Sequence, residues 1–118
     1  MSYVHRELAA GRWFELSLVE QLANVGGEVE RTIRSRDAGY RESSEKAFER
    51  ALELLGLTIA DPKNRFRLKE VCRAHELLVD YFQGDNLYGS SDELWRKYFL
   101  GFAWCAQMRR RQAREEQP

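Results

Sequence analysis

Leu18-Val-Glu-Gln-Leu-Ala-Asn-Val-Gly-Gly-Glu-Val-Glu-Arg-Thr-Ile33 is the stretch from which the fold of this chain is read. Leu18, Leu22, Val25, Val29 and Ile33 recur at steps of four, three, four and four. At about 3.6 residues per turn that spacing puts all five on one face of an amphipathic helix. Trp13, Phe14 and Leu16 extend the apolar surface upstream, so the pattern predicts a first helix over Arg12 to Arg36. Gly26 and Gly27 interrupt it, each costing about 1 kcal/mol against alanine in a helix interior. The expected reason is a close helix–helix crossing or a slight kink.

Three more helices follow. Asp37-Ala-Gly-Tyr40 reads as a turn with Gly39 as the cap, since glycine reaches the left-handed backbone that ends a helix. A second helix is expected from Ser43 to Ala60, with Phe48, Leu52, Leu55 and Ile59 as its stripe. Asp61-Pro62 ends it, because the residue before a proline is pushed out of the helical region. Asp61 then caps a third helix, Pro62 to Gln83, with proline at its first position. Gly84-Asp-Asn-Leu-Tyr-Gly89 is a turn-rich link, and Ser90 lies three before Glu93, a capping-box spacing. The fourth helix, Ser91 to Arg111, is apolar almost all round. Such a helix must be covered on more than one side. The prediction is an all-α, four-helix up-down bundle that dimerises through its C-terminal helix, with Trp95, Tyr98, Phe99, Phe102 and Trp104 in the interface.

The 118 residues fit one domain, 1–118, with flexible ends at about 1–11 and 112–118. Hydrophobic residues at 43% and charged residues at 32% suit a globular chain rather than a disordered one. Nineteen basic and nineteen acidic side chains cancel, which weighs against a protein built to neutralise phosphates. Cys72 and Cys105 sit in apolar helical patterns and do not form a disulfide framework, so a reduced, cytoplasmic setting is expected. No stretch approaches the roughly 20 apolar residues of a membrane span.

Candidate chemistry is sparse. Cys72 and His75 share a helical face, but zinc needs two further ligands that the chain does not supply at a recognisable spacing. A cysteine–histidine enzyme would want its nucleophile at a strained turn or helix start, not in a helix interior. Val25-Gly-Gly-Glu28 matches no phosphate loop. No catalytic residue, metal or cofactor is expected. Two polar groupings are candidates. His75, Asp80, Asp85, Asn86 and Tyr88 gather at the corner between helices three and four, where loops carried by a rigid scaffold often bind. Arg65, Arg67, Lys69 and Arg73 make one side of helix three basic, a candidate phosphate-contacting face, diluted by Glu70, Glu76 and Asp80.

Ala47-Phe-Glu-Arg-Ala-Leu52 resembles the second helix of a tetratricopeptide repeat, but no second copy follows at the period of about 34 residues. Ala47-Phe-Glu-Arg-Ala-Leu-Glu-Leu-Leu-Gly-Leu-Thr-Ile-Ala-Asp-Pro62 and Asp80-Tyr-Phe-Gln-Gly-Asp-Asn-Leu-Tyr-Gly-Ser90 resemble a family of short bacterial all-helical proteins to which no function is attached. The architecture is also similar to the small bundles that accompany minimal nucleotidyltransferases or act as RNA-cutting toxins. Those nucleases place an Arg about four to six residues before a His, an analogy of fold only. Here Lys69, not Arg, stands five intervening residues before His75. The expected function is therefore non-enzymatic: a homodimeric helical module that binds itself and a protein partner. A nucleic-acid-associated bundle, such as a companion of a minimal nucleotidyltransferase or a toxin–antitoxin component, is the alternative.

Overall fold

The computed structural model describes residues 11–116. Among them there is no strand, and four helices pack together: α1 (Leu18–Asp37), α2 (Arg41–Ala60), α3 (Leu68–Phe82) and α4 (Asp92–Glu116). Short 3-10 turns, Arg12–Glu15 and Pro62–Arg67, precede α1 and α3. No helix among the described residues is long and apolar enough to cross a membrane.

The helix boundaries differ from the periodicity reading wherever a side chain satisfies backbone groups first. Helix one divides at Ser17, whose hydroxyl accepts from the Glu20 amide at 3.2 Å and donates to the Glu20 carboxylate at 3.1 Å. This reciprocal cap starts α1 six residues after the expected Arg12 and leaves Trp13 on a separate turn. Pro62 and Asp61 cap as expected, with the Asp61 carboxylate taking the Lys63 amide at 3.1 Å. The segment they open is nevertheless 3-10 as far as Arg67. Ser91, not Ser90, caps α4, accepting from the Leu94 amide at 3.2 Å. Gly39 supplies the left-handed residue (φ 85°) after α1. The C-terminal segment expected to fray is helical to Glu116. It is made of good helix formers and carries an Arg111–Glu115 pair one turn apart. Residues 1–10 and 117–118, expected to be flexible, lie outside the described residues.

α1 is the shared element, packing extensively against both α2 and α4, whereas the backbones of α3 and α4 hardly approach. The stripe read from the sequence is the core: Leu22, Val25, Val29 and Ile33 are at most 2% exposed. Each such side chain contributes about 1.5–3 kcal/mol on burial. Phe48, Leu55, Val71 and Leu78 meet them from α2 and α3, and Trp95 and Phe99 from α4. Cys72 and Cys105 differ from the expectation, since both thiols are exposed. They stand beside their helices' apolar stripes rather than in them.

A buried polar knot ties the N-terminal turn to the α2–α3 corner. The Trp13 indole donates to Thr58 Oγ1 at 3.2 Å. Gln21 donates to the Trp13 carbonyl at 3.0 Å and to Asp61 Oδ2 at 2.8 Å. Asn64 donates to Gln21 Oε1 at 2.8 Å and to the Thr58 carbonyl at 3.0 Å. Gln21, Thr58, Asp61 and Asn64 are all nearly or fully buried. With partners for each, these polar groups cost little and select one arrangement, whereas an orphaned one would cost about 1–3 kcal/mol. Asn64 reaches its two partners from the 3-10 turn, which is why that segment is not yet α-helical.

The two adjacent glycines do different jobs. A Cβ on Gly26 would stand 2.6 Å from the Cβ of Phe99, whereas one on Gly27 would meet nothing within 4 Å. Gly26 is the close crossing of α1 and α4; Gly27 only weakens α1. Gly26→Ala should therefore destabilise the fold by about 1–3 kcal/mol through overpacking. Gly27→Ala should stabilise it by up to about 1 kcal/mol. Urea denaturation of the two variants measures this, and equal shifts would contradict the crossing.

Candidate functional site

Because α3 and α4 splay apart, a cleft opens between them, roofed by the 83–91 connection. Asp80, at the end of α3, organises that connection. Its carbonyl accepts from the Gly84 and Asn86 amides at 3.1 and 3.0 Å. Its carboxylate accepts from the Leu87 and Tyr88 amides at 2.9 and 3.1 Å. Asn86, in the left-handed region at φ 52°, clasps Ser90 by both amide atoms, at 2.7 and 3.0 Å. The loop is thus a fixed structure that projects Leu87 outward, 81% exposed, and turns Tyr88 back over α3. There the Arg73 guanidinium lies 4.8 Å from the centre of the Tyr88 ring, a cation–π contact.

The cleft encloses about 380 Å³. Ala74 and Leu77 of α3 and Leu94, Trp95 and Tyr98 of α4 form apolar walls, with Tyr88 at the mouth and Glu70 and Arg73 along one side. Trp95 and Tyr98 meet edge to face with ring centres 5.8 Å apart. The Tyr98 hydroxyl donates to Glu70 Oε1 at 3.3 Å, and Arg67 holds the other oxygen of Glu70. Burial, then the charge of Glu70, pushes the Tyr98 phenol up to about 12. The Trp95 indole N–H is buried with no acceptor. The wall residues offer apolar contact, stacking and ionic pairing, which is the chemistry of binding.

The structure brings together Tyr88, Arg73, Trp95 and Tyr98, which sequence reading assigned to three different roles. It does not gather the rest of the corner group. Asp80 and Asn86 are engaged by the loop, Asp85 is exposed, and His75 is half-buried on α3 outside the cleft. Among the described residues no three His, Cys, Asp or Glu side chains are placed to hold a metal ion. Glu70, Ala74 and Leu77 were missed; with Arg73 they fall at helical spacing on one face of α3, but nothing in the sequence says that this face is uncovered.

The expected interface residues separate. Trp95 and Phe99 are 6% and 5% exposed inside the chain's own core and are not available to a partner, a correction that follows from the packing of α4 on Gly26. Tyr98 and Phe102 are half-buried, and Trp104 is 62% exposed. The basic face separates too. Arg67 pairs with Glu70, and Arg73 contacts Glu76 at 3.4 Å. Arg65 lies 4.8 Å over the ring of Phe66, and Lys69 is exposed.

Behind the cleft, Asp92 at the start of α4 joins three helices. It takes Arg36 of α1 through both oxygens, at 3.1 and 2.5 Å, and the hydroxyl of Tyr81 of α3 at 2.6 Å. The Arg36 hydrogen bond is the largest influence on the Asp92 carboxyl. Despite partial burial it holds that carboxyl below the usual range. At Asp61 burial acts first, upward, but the hydrogen bonds from Lys63 and Gln21 together outweigh it and leave this carboxyl low as well. A depressed carboxylate stabilises the fold above its unfolded pKa of about 4, and the contribution disappears as pH falls through the lower folded value. Tyr98 behaves oppositely: its raised phenol contributes below an unfolded pKa of about 10 and ceases to as pH rises toward the folded value. Stability should therefore be flat near neutrality, fall below about pH 4 and fall again above about pH 10. Urea midpoints across pH should show a shallower acid limb in Asp92→Asn and a shallower alkaline limb in Tyr98→Phe; unchanged limbs would contradict these assignments.

Comparison of the chain with protein-family models, with curated proteins and with solved structures finds no match, so what it does has to be read from its own geometry.

Proposed function

We propose that this chain is a non-enzymatic interaction module, an up-down bundle that pairs with a second copy of itself through the outer face of α4. The observation that carries this reading is a ridge of Leu100, Trp104 and Met108, 67%, 62% and 42% exposed. The three lie at steps of four, on the side of α4 opposite to buried Trp95, Phe99 and Ala106. A lone helix in water has no reason to hold a tryptophan and a leucine outward one turn apart, and such contiguous apolar surface marks interaction sites. Beside the ridge a groove of about 600 Å³ runs along the α1–α4 seam, lined by small residues such as Ala23, Gly27 and Ala103 and by the charged Glu30, Glu93, Arg96 and Lys97. Leu100 belongs to both ridge and groove, and the proposed two-fold arrangement sets the ridge of each copy against the seam of the other. The up-down order is supported by the connection of three residues between α1 and α2, since short links join antiparallel neighbours.

Light scattering on a size-exclusion column should give a dimer in the micromolar range. Trp104→Glu and Leu100→Glu should be monomers with unchanged circular dichroism, because neither side chain supports the core. A wild type that stays monomeric across that range would end the self-pairing reading.

A second reading, association with nucleic acid, is favoured by Phe66. This ring is 83% exposed between Arg65 and Arg67, and exposed aromatics among basic residues stack unpaired bases. Binding of a single-stranded RNA at low salt, lost in Phe66→Ala and weakening as salt rises, would support it. No binding at low ionic strength would remove it.

A further inference from the structure

We propose that the cleft between α3, the 83–91 connection and α4 is a binding site for a small aromatic carboxylate. Its volume of about 380 Å³ falls within the range of ligand pockets and admits a body of one or two fused rings. The walls are flat and apolar. Trp95, nearly buried, forms the floor, half-buried Tyr98 supplies the aromatic wall, Leu77 and Leu94 close the sides, and exposed Tyr88 stands at the mouth on a loop held by Asp80. Rigid aromatic walls favour a flat, aromatic occupant over a flexible chain, because stacked and edge-to-face contacts add to simple area burial.

The charge of the occupant follows from which polar groups are already engaged. Glu70 is the one carboxylate on the cleft wall. Tyr98 takes one of its oxygens and Arg67 the other, so an incoming cation would have to displace both and would face Arg73. Arg73 is the opposite case. Its guanidinium is steered over the cleft mouth by the Tyr88 ring, and its hydrogen bond to Glu76 is long, 3.4 Å, between side chains 55% and 65% exposed. Exposed pairs of that kind are worth little. With only that long contact engaged, Arg73 keeps N–H donors for a carboxylate, which a guanidinium can match in bidentate fashion. The site therefore has an apolar body, a cation at the rim and no unmatched anion.

The test is titration of the full chain with 2-naphthoate, 2-naphthylmethylammonium and 2-naphthalenemethanol, followed by heteronuclear NMR at the backbone amides and the Trp95 indole. Naphthoate should bind about tenfold more tightly than either analogue, the worth of one charge-assisted hydrogen bond, and should move the Trp95 indole and the Tyr88 amide. Arg73→Gln, at an exposed helical position, should erase the preference for the carboxylate while the alcohol still binds. Leu77→Trp, which fills the cleft, should abolish binding of all three. Equal affinities, shifts confined to other surfaces, no binding, or a preference that survives Arg73→Gln would each overturn the proposal.

Discussion

Phe99 sitting directly on Gly26 is the contact on which the arrangement of this protein turns. With no side chain at Gly26, α4 settles against α1 more closely than any other residue type would permit. α1 thereby becomes the element shared by both sides of the bundle. Two consequences follow from packing alone. Trp95, one turn before Phe99, is carried into the core alongside it. And α4, committed to α1, leaves α3 without a backbone neighbour on that side, so the α3–α4 seam is bridged by aromatic side chains and a loop instead of by helix–helix contact. The cleft is what remains of a seam that the Gly26 crossing prevents from closing.

The polar knot around Gln21, Thr58, Asp61 and Asn64 performs the matching task at the other end. Helices joined by short links can rotate about their axes at little cost unless something specific resists. Here the 3-10 turn Pro62–Arg67 hangs from Asn64, and α3 begins only where that turn lets go. The rotation of α3 is set at this point. It decides that Val71 and Leu78 face the core while Glu70, Arg73, Ala74 and Leu77 look toward the cleft. A fully partnered knot does this better than an apolar cluster, because a small rotation would break several buried hydrogen bonds together.

Much of this was legible in the residues. Steps of three and four from Leu18 to Ile33 identify the α1 core face, and Asp61-Pro62 and Gly39 mark two of the turns. What could not be read is instructive. Ser17 and Asn64 are ordinary polar residues until their partners are known, so the 3-10 turns at Arg12 and Pro62 were absorbed into longer helices. The glycine pair announces a crossing without saying which of the two makes it, since that depends on where Phe99 arrives from a distant part of the chain. Asp80 and Asn86 stand out in the sequence as a polar corner. Their hydrogen bonds run to their own loop, however, and spacing alone cannot separate a residue that binds a ligand from one that builds the loop presenting Tyr88. Arg73 shows the reverse: read as one of four phosphate contacts on a basic side, it parts from Arg65 and Lys69 because Tyr88 draws it to the cleft.

The composition of α4 now has a physical account. Amphipathic helices need one apolar stripe, and this one has three. Trp95 and Phe99 face α1, Leu94 and Tyr98 face the cleft, and Leu100, Trp104 and Met108 face outward. The first stripe is required by the fold, and its burial is complete within one chain. The second is half-covered, with Leu94 exposed and Tyr98 half-buried at the cleft. The third stays largely exposed. A substitution's position among these three stripes should decide what it disturbs, since a change on the outer ridge removes no contact from the core and one at Leu94 reaches the cleft without touching Gly26. On the readings proposed above, self-association and ligand binding would reside on one helix and still be altered independently.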